Sequence, residues 1–230
     1  MEENNRLLTI AIPKGKLGKD AVQVLNAANY PTAGLETDSR KLLFDYPDSK
    51  VRYIVCRPTD IPIYVDYGAA DLGIVGKDSI FESNKDVFEL LDLKFGWCRF
   101  VVAVPRTTAE KYTGADGRVN LNNFNHARVA TKFPRVAEAF FREQGIQVEV
   151  IKLHGNIELA PMVNLAEMIV DIVSTGATLK ENDLVAVADI FPASARVIAN
   201  RVSYRMKYQR MQKLIEKMRD YVDCGGKTSD

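Results

Sequence analysis

Histidine is almost missing from this sequence: 230 residues hold two, His126 and His154. Cysteine is scarce as well. Cys56, Cys98 and Cys224 stand far apart, and no C-x-x-C pair occurs. These shortages speak against a zinc site built by the protein and against a disulfide framework, and they fit reduced thiols in a cytoplasmic protein. An excess of charge is missing too. Lys+Arg number 31 against 30 Asp+Glu, a formal net charge of +1. No global field therefore draws the chain to nucleic acid or to a membrane surface. No apolar run reaches the length of a membrane span. The first, LLTIAIP, is too short for the hydrophobic region of a secretory leader and runs into Lys14 and Lys16. G-x-G-x-x-G and Walker A patterns, internal repeats and low-complexity tracts are absent, so neither a Rossmann nor a P-loop assignment is supported.

What is present is an ordinary globular composition, 47% hydrophobic and 27% charged. The length suffices for one large domain or two small ones. Short apolar runs alternate with helical patterns. LLTIAIP leads into GKLGKDAVQVLNAANY; KLLFDYP and VRYIVCRP read as paired strands; DLGIVG, CRFVVAVP, HARVATKF, VEVIKLH, MIVDIVS and DLVAVADIF are further strand candidates. FPRVAEAFFREQG and GNIELAPMVNLA read as helices between them, and the polar segment 107–125 reads as a surface excursion. This alternation implies an α/β chain with mainly parallel sheets covered on both faces. A strand entering a new unit near residue 96 and another returning near 188 suggest two lobes. Lobe I is 1–96 plus 188–230, and lobe II is 97–187, with the cleft of such a pair as the default ligand site. Near the end, Tyr204, Tyr208, Met211, Ile215, Met218 and Val222 form a helical stripe. Either the helix docks on its own domain or the stripe meets a partner.

Chemistry is concentrated at strand ends. In MIVDIVSTGATLKEND (168–183), Asp171 interrupts an apolar run, and an unpaired buried carboxylate costs several kcal/mol unless donors, a metal or a ligand meet it. Ser174, Thr175, Gly176, Ala177 and Thr178 follow, a small-residue loop before a helical turn, which is a phosphate-binding pattern. Glu158 and Glu167 join Asp171 as acidic candidates for ribose hydroxyls, or are two exposed helix glutamates. Lys14-Gly15-Lys16, Arg57 and Lys77 each follow a strand, where ligands of α/β sheets bind. Each alone could be a solvated surface cation; their shared placement suggests an anionic ligand. Arg40 and Lys41 open a strand and add another cationic spot, or guard an edge strand against aggregation. Gly68, Gly73 and Gly76 allow tight turns or close backbone approach.

Five segments taken together, PKGKL (13–17), SRKL (39–42), RPTDIPIYVDYGAADLGIVGKD (57–78), ATKF (130–133) and ELAPMVNLAEMIVDIVSTGATLKENDL (158–184), resemble the ATP phosphoribosyltransferase family. The resemblance runs in order over nearly the whole chain. It implies a two-lobed α/β fold similar to type II periplasmic binding proteins. It also implies a glycosyltransferase that joins N1 of ATP's adenine to phosphoribosyl pyrophosphate (PRPP), releasing pyrophosphate, as the first step of histidine biosynthesis. Two positions depart from the family's habit: Lys16 replaces an arginine, giving a point charge instead of a bidentate fork, and Glu167 replaces an aspartate.

The residue roles implied follow from that match. Asp171, Ser174, Thr175, Gly176, Ala177, Thr178 and Glu158 would take PRPP. Lys14, Lys16, Arg57, Gly76 and Lys77 would take ATP or pyrophosphate, and Arg40 and Lys41 would stabilise the leaving group. Mg²⁺ would be the cofactor, held mainly by substrate and not by protein ligands. The chain resembles the short form of the family, which implies a homodimer and a hetero-oligomer with a histidyl-tRNA-synthetase-like regulatory subunit. The alternative is a non-catalytic nucleotide- or anion-sensing binding protein of the same fold.

Overall fold

The computed structural model describes residues 6–35 and 40–225; Ser39 of the SRKL segment lies outside them. The chain forms two units, Met1–Gly96 with Ser194–Asp230, and Trp97–Ala193. The first unit begins with β1 (Leu8–Pro13), α1 (Lys16–Ala27), β2 (Leu43–Tyr46), β3 (Val51–Cys56), α2 (Ile61–Asp66), β4 (Leu72–Gly76), α3 (Lys77–Ser83) and β5 (Val87–Asp92). The second contains β6 (Cys98–Pro105), α4 (Arg106–Tyr112), β7 (Ala127–Thr131), α5 (Pro134–Glu143), β8 (Val148–Lys152), α6 (Leu159–Met162), β9 (Met168–Val173), α7 (Ala177–Glu181) and β10 (Leu184–Ala193). The chain then rejoins the first unit with β11 (Ala195–Asn200), α8 (Arg201–Met206) and α9 (Tyr208–Asp223). The return expected at 188 falls inside β10, which pairs antiparallel with β6 and so keeps the chain in the second unit through Ala193.

The first sheet runs β2-β3-β1-β4-β11-β5 and the second β10-β6-β9-β7-β8. Parallel pairing is confined to three strands in each: β3, β1 and β4 in one, β8, β7 and β9 in the other. The flanking strands are antiparallel, so both sheets are mixed where mainly parallel ones were expected. Two of those strands, β5 and β11, were not among the sequence candidates, and the polar excursion begins inside the helix α4.

Both faces of the central strands of each sheet are buried, which is why those strands read as continuous apolar runs. In the first unit, Leu8, Ile10 and Ile12 point into a core with Val24 and Leu25 of α1 and Leu214 and Ile215 of α9. The opposite face packs Ala11, Val75 and Ile198 against Ile61 and Val65 of α2. In the second, Val102, Val129, Met168 and Val170 meet Val136, Ala137 and Phe141 of α5, while Val101, Ala103 and Ile169 meet Ala160 and Leu179. Gly18 lets α1 lie this close to β1: a Cβ there would stand 2.1 Å from the Pro13 carbonyl oxygen.

The C-terminal stripe is used internally. Met211, Leu214, Ile215 and Met218 are buried in the first unit's core, each worth about 1.5–3 kcal/mol of apolar burial. The helix also breaks at Lys207, so Tyr204 and Tyr208 belong to two successive helices. Two basic residues of this segment, off the apolar stripe, are structural. Arg210 is buried and donates to the carbonyls of Ser49 and Lys50 at 2.7 and 2.9 Å. Lys207 donates to Asp71 and to the Leu7 carbonyl, both at 2.7 Å.

Candidate active site

The strand directions gather the candidate residues at two sheet edges, one in each unit. In the first unit, β3, β1 and β4 are adjacent and parallel, so their carboxyl ends lie side by side. Lys14 follows β1, Arg57 follows β3 and Lys77 follows β4. The Lys14 N–H donates to the Cys56 carbonyl at 3.1 Å, which sets Lys14 beside Arg57. Gly15, at φ +82°, reverses the chain so that α1 can start at Lys16. Because β2 runs antiparallel to β3, its start returns to this same edge: Leu43 pairs with Ile54, and the Leu42 carbonyl accepts from the Val55 N–H at 2.8 Å. Arg40 and Lys41 therefore stand at the carboxyl end of β3, and Lys41 lies 4.9 Å from the centre of the Phe44 ring.

Five of these six cations are solvent-exposed. Lys77 differs: its ammonium forms an ion pair with Glu89 of β5, and its N–H donates to the Ser194 carbonyl at 3.0 Å. Gly76 is buried in an extended conformation, φ −69°, where a left-handed turn is not required. Burial, with Asp60 adding and Lys14 opposing, pushes the Cys56 thiol up to about 11, so it stays protonated and unreactive.

In the second unit the parallel trio β8, β7 and β9 gives a second carboxyl edge. Asp171 sits near the end of β9 and is half-buried. Its carboxylate accepts the Ile172 N–H at 2.8 Å, one bond for a group able to take about four. Burial pushes its pKa up to about 6; the charge of Glu158 adds to this, and the Ile172 N–H and Lys132 oppose it. Gly176 takes φ +81°, a left-handed conformation, and a Cβ there would meet only Val173 Cγ1 at 3.9 Å, an ordinary contact. Its need for glycine is conformational, not steric. Helix α7 begins immediately after it, and its first N–H groups have no carbonyl four residues back to serve them. Ser174, Thr175, Ala177 and Thr178 are exposed on this loop, and Thr175 Oγ1 accepts weakly from the Ala177 N–H at 3.4 Å.

Glu158 and Glu167, equal candidates in sequence, separate completely. Glu158 precedes α6 and is felt by Asp171. Glu167 lies at the amino end of β9 and is tied to Arg128, whose backbone N–H reaches it at 2.7 Å and whose guanidinium grips both carboxylate oxygens. That grip holds its pKa below the usual range. Two residues at the second edge went unassigned in sequence. Thr131 is fully buried; its hydroxyl donates to the Val170 carbonyl at 2.7 Å and accepts the Phe133 N–H at 2.9 Å. It fixes the turn that presents Lys132 next to Asp171. The ATKF segment contained both, but a strand-end threonine and lysine carry no signal of their own.

The arrangement offers one edge rich in cations and another with a small-residue loop beside carboxylates, suited to anionic ligands and to hydroxyl groups. Among the described residues no group of three or more His, Cys, Asp or Glu side chains gathers to hold a metal, and no helix is long and apolar enough to cross a membrane.

Comparison with known proteins identifies the family. The family model for HisG, ATP phosphoribosyltransferase, matches residues 57–220. The ATP phosphoribosyltransferase of Moorella thermoacetica is 59% identical over 220 residues, covering 96% of this chain and 95% of that protein. Among solved structures, the ATP phosphoribosyl transferase (HisG:HisZ) complex from Thermotoga maritima aligns with TM-score 0.77 at 30% identity, over 94% of this chain and 99% of that one. The GluR0 ligand-binding core from Nostoc punctiforme, solved with L-glutamate, aligns with TM-score 0.58 at 13% identity, over 95% of this chain and 94% of that one, and shares the two-lobed fold alone. With the family model matched over more than half of the chain and a relative 59% identical over 96% of it, the chain belongs to the ATP phosphoribosyltransferase family.

Proposed function

We propose that the two strand-end edges divide the chemistry of this family's reaction. The chain is a phosphoribosyltransferase that condenses ATP with PRPP to give N1-(5-phosphoribosyl)-ATP and pyrophosphate. The adenine N1 lone pair forms a bond to the ribose anomeric carbon while the bond from that carbon to the pyrophosphate oxygen breaks. The sugar gains oxocarbenium character, and negative charge grows on the leaving pyrophosphate. Because N1 is already an acceptor, no strong general base is needed. The protein's task is to fix the sugar and to meet the growing charge.

In this reading the loop Ser174–Thr178 receives the 5′-phosphate on backbone N–H and hydroxyl donors, and Asp171, with Glu158 beside it, accepts the ribose hydroxyls. Arg40 and Lys41 face the departing pyrophosphate; Lys14, Lys16, Arg57 and Lys77, with Gly76, serve ATP or pyrophosphate. Asp171 must be ionised to accept two hydroxyls, and its spare acceptor capacity is the observation that carries the assignment. Mg²⁺ fits as an ion that arrives on pyrophosphate oxygens. Asp171 and Glu158 are two carboxylates in reach of one another's field, suited to a hydrated ion and too few for a cage. When bound with substrate it neutralises phosphate charge.

The likeness to the Thermotoga maritima complex supports a hetero-oligomer with a separate regulatory subunit; in this reading the chain is the short form, that subunit resembles histidyl-tRNA synthetase, and the enzyme works as a homodimer in the cytoplasm. The test is an absorbance assay for phosphoribosyl-ATP with ATP, PRPP and Mg²⁺, run with and without that subunit and with added histidine. Product formation that depends on both substrates is expected, with histidine inhibition only in the presence of the subunit. Ligand binding without turnover in either sample would reject the catalytic assignment.

A further inference from the structure

Glu89 faces two cations and completes its bonding with only one. Its carboxylate is in ion-pair contact with the Lys77 ammonium, while its Oε1 stands 3.6 Å from Arg196 Nε. That separation is an electrostatic contact but too long for a hydrogen bond. Arg196 Nε is itself buried and has no hydrogen-bond partner. A buried donor without an acceptor is a standing cost to the fold, and the nearby acceptor able to relieve it is the carboxylate now held by Lys77.

The surroundings allow the carboxylate to move and keep everything else in place. Arg196 is anchored by its NH1 to Asp92 at 2.9 Å. Asp92 is in turn fixed by the Ser194 hydroxyl at 2.8 Å and the Lys94 N–H at 2.9 Å. The backbone of Lys77 is tied to Ser194 at 3.0 Å. What remains free is the Lys77 side chain and the end of Glu89, both about one-third exposed. A shift of under about 1 Å would bring Oε1 into hydrogen-bond range of Arg196 Nε.

We propose that Glu89 is a two-position acceptor: it holds Lys77 while the phosphate site is empty and passes to Arg196 Nε when a pyrophosphate group takes Lys77. The inference rests on the reading of Lys77 as a phosphate contact. Without the second position, drawing Lys77 to substrate would leave Glu89 with only its longer contact to Arg196. With it, the buried Arg196 donor is satisfied at the moment Lys77 leaves, and the exchange is close to balanced. Glu89 is a positioning residue here; it acts through Lys77 and touches no substrate.

The test titrates the full chain with pyrophosphate in Mg²⁺ buffer by calorimetry and follows the Arg196 Nε–H signal by NMR. Lys77→Met should weaken binding. Glu89→Gln should tighten it about threefold, the scale of a partly exposed ion pair that no longer competes. The same change in a Lys77→Met background should add nothing. Arg196→Lys should weaken binding about threefold in the wild type and leave Glu89→Gln unaffected. On saturation the Nε–H proton should move downfield and exchange more slowly in the wild type, and stay still in Glu89→Gln. If Lys77→Met binds pyrophosphate as the wild type does, the phosphate role of Lys77 is wrong and this inference falls with it. If Lys77→Met weakens binding but the Nε–H signal of the wild type does not move, the exchange alone is overturned. Should Glu89→Gln fail to fold, the wild-type NMR titration still decides.

Discussion

The carboxyl edge of β1, β3 and β4 gathers six cations; that of β7, β8 and β9 gathers two carboxylates and a glycine-centred loop, with Lys132 beside them. Both are proposed to meet phosphate, yet they are built from different materials. In the first unit the charges ride on long side chains, most of them exposed. Such groups supply attraction at a distance but hold little fixed geometry, and each is worth little at rest. In the second unit the donors are backbone N–H groups at a helix start, fixed by the φ +81° of Gly176, and the acceptor is a carboxylate in a half-buried place. A fixed group contributes without reorganising during the reaction. The mobile edge suits charge that appears and departs, as on pyrophosphate; the rigid edge suits a sugar that must be held still.

The contrast can be broken most sharply at Asp171. Asp171→Asn should cut kcat by about 100-fold or more, since the group meets the sugar where charge develops. It should also raise stability. The folded pKa of about 6 lies above the ordinary 3.8, so ionisation of Asp171 costs the fold as pH rises through about 6. The neutral asparagine should recover about 2–3 kcal/mol at pH 7, and the gain should vanish below pH 4. Thermal melts at pH 4 and 7, read beside steady-state rates, check both halves. In the wild type, kcat/KM for PRPP should fall as pH drops through about 6.

Arg40→Ala tests the mobile edge. Its effect should be smaller, about tenfold in kcat with less change in substrate affinity, because an exposed cation is screened before closure of the charge it meets. Single-turnover rates that match the wild type would return Arg40 to the role of an edge-strand guard. Gly176→Ala comes next. A left-handed alanine costs about 1–2 kcal/mol, and the loop should answer by raising KM for PRPP about tenfold or less. Thr178→Val should raise that KM about threefold to tenfold by losing one hydroxyl donor to a charged group; PRPP titrations rank the two. The smallest effect belongs to Glu167→Gln, which should change KM for PRPP by less than about twofold because the residue sits at the far end of β9, paired with an exposed arginine. A large KM change there would erase the distinction drawn between Glu158 and Glu167.

Much of the second edge was legible because its signal is local. An aspartate in an apolar run followed by S-T-G-A-T is one strand, one loop and one helix start, and every residue of it is consecutive. Part of the first edge was legible for the same reason, since Lys14, Arg57 and Lys77 each follow an apolar strand directly. The strands β5 and β11 were hidden: VFELLD mixes polar and apolar residues without strict alternation, and ARVIAN follows β10 after a single residue. With them went the pairing of Lys77 and Glu89, because β5 reaches β4 only across β11. The stripe of α9 was visible, but the burial of Arg210 was not, since it depends on carbonyls at residues 49 and 50.

By itself the sequence determined nine of the eleven described strands, that their ends would carry cations in one half and a small-residue loop in the other, and that Asp171 would need an explanation. It could do so because hydrophobic runs and turn chemistry are short-range properties. Only the tertiary structure decided which of these ends share an edge. Glu167 is four residues from Asp171, yet four residues of strand span about 13 Å and lead to the opposite edge of the sheet. Glu158 is thirteen residues away and returns through α6 to the same edge. Strand direction, set by which neighbours pair parallel and which antiparallel, turns sequence distance into spatial distance, and no single segment contains that information.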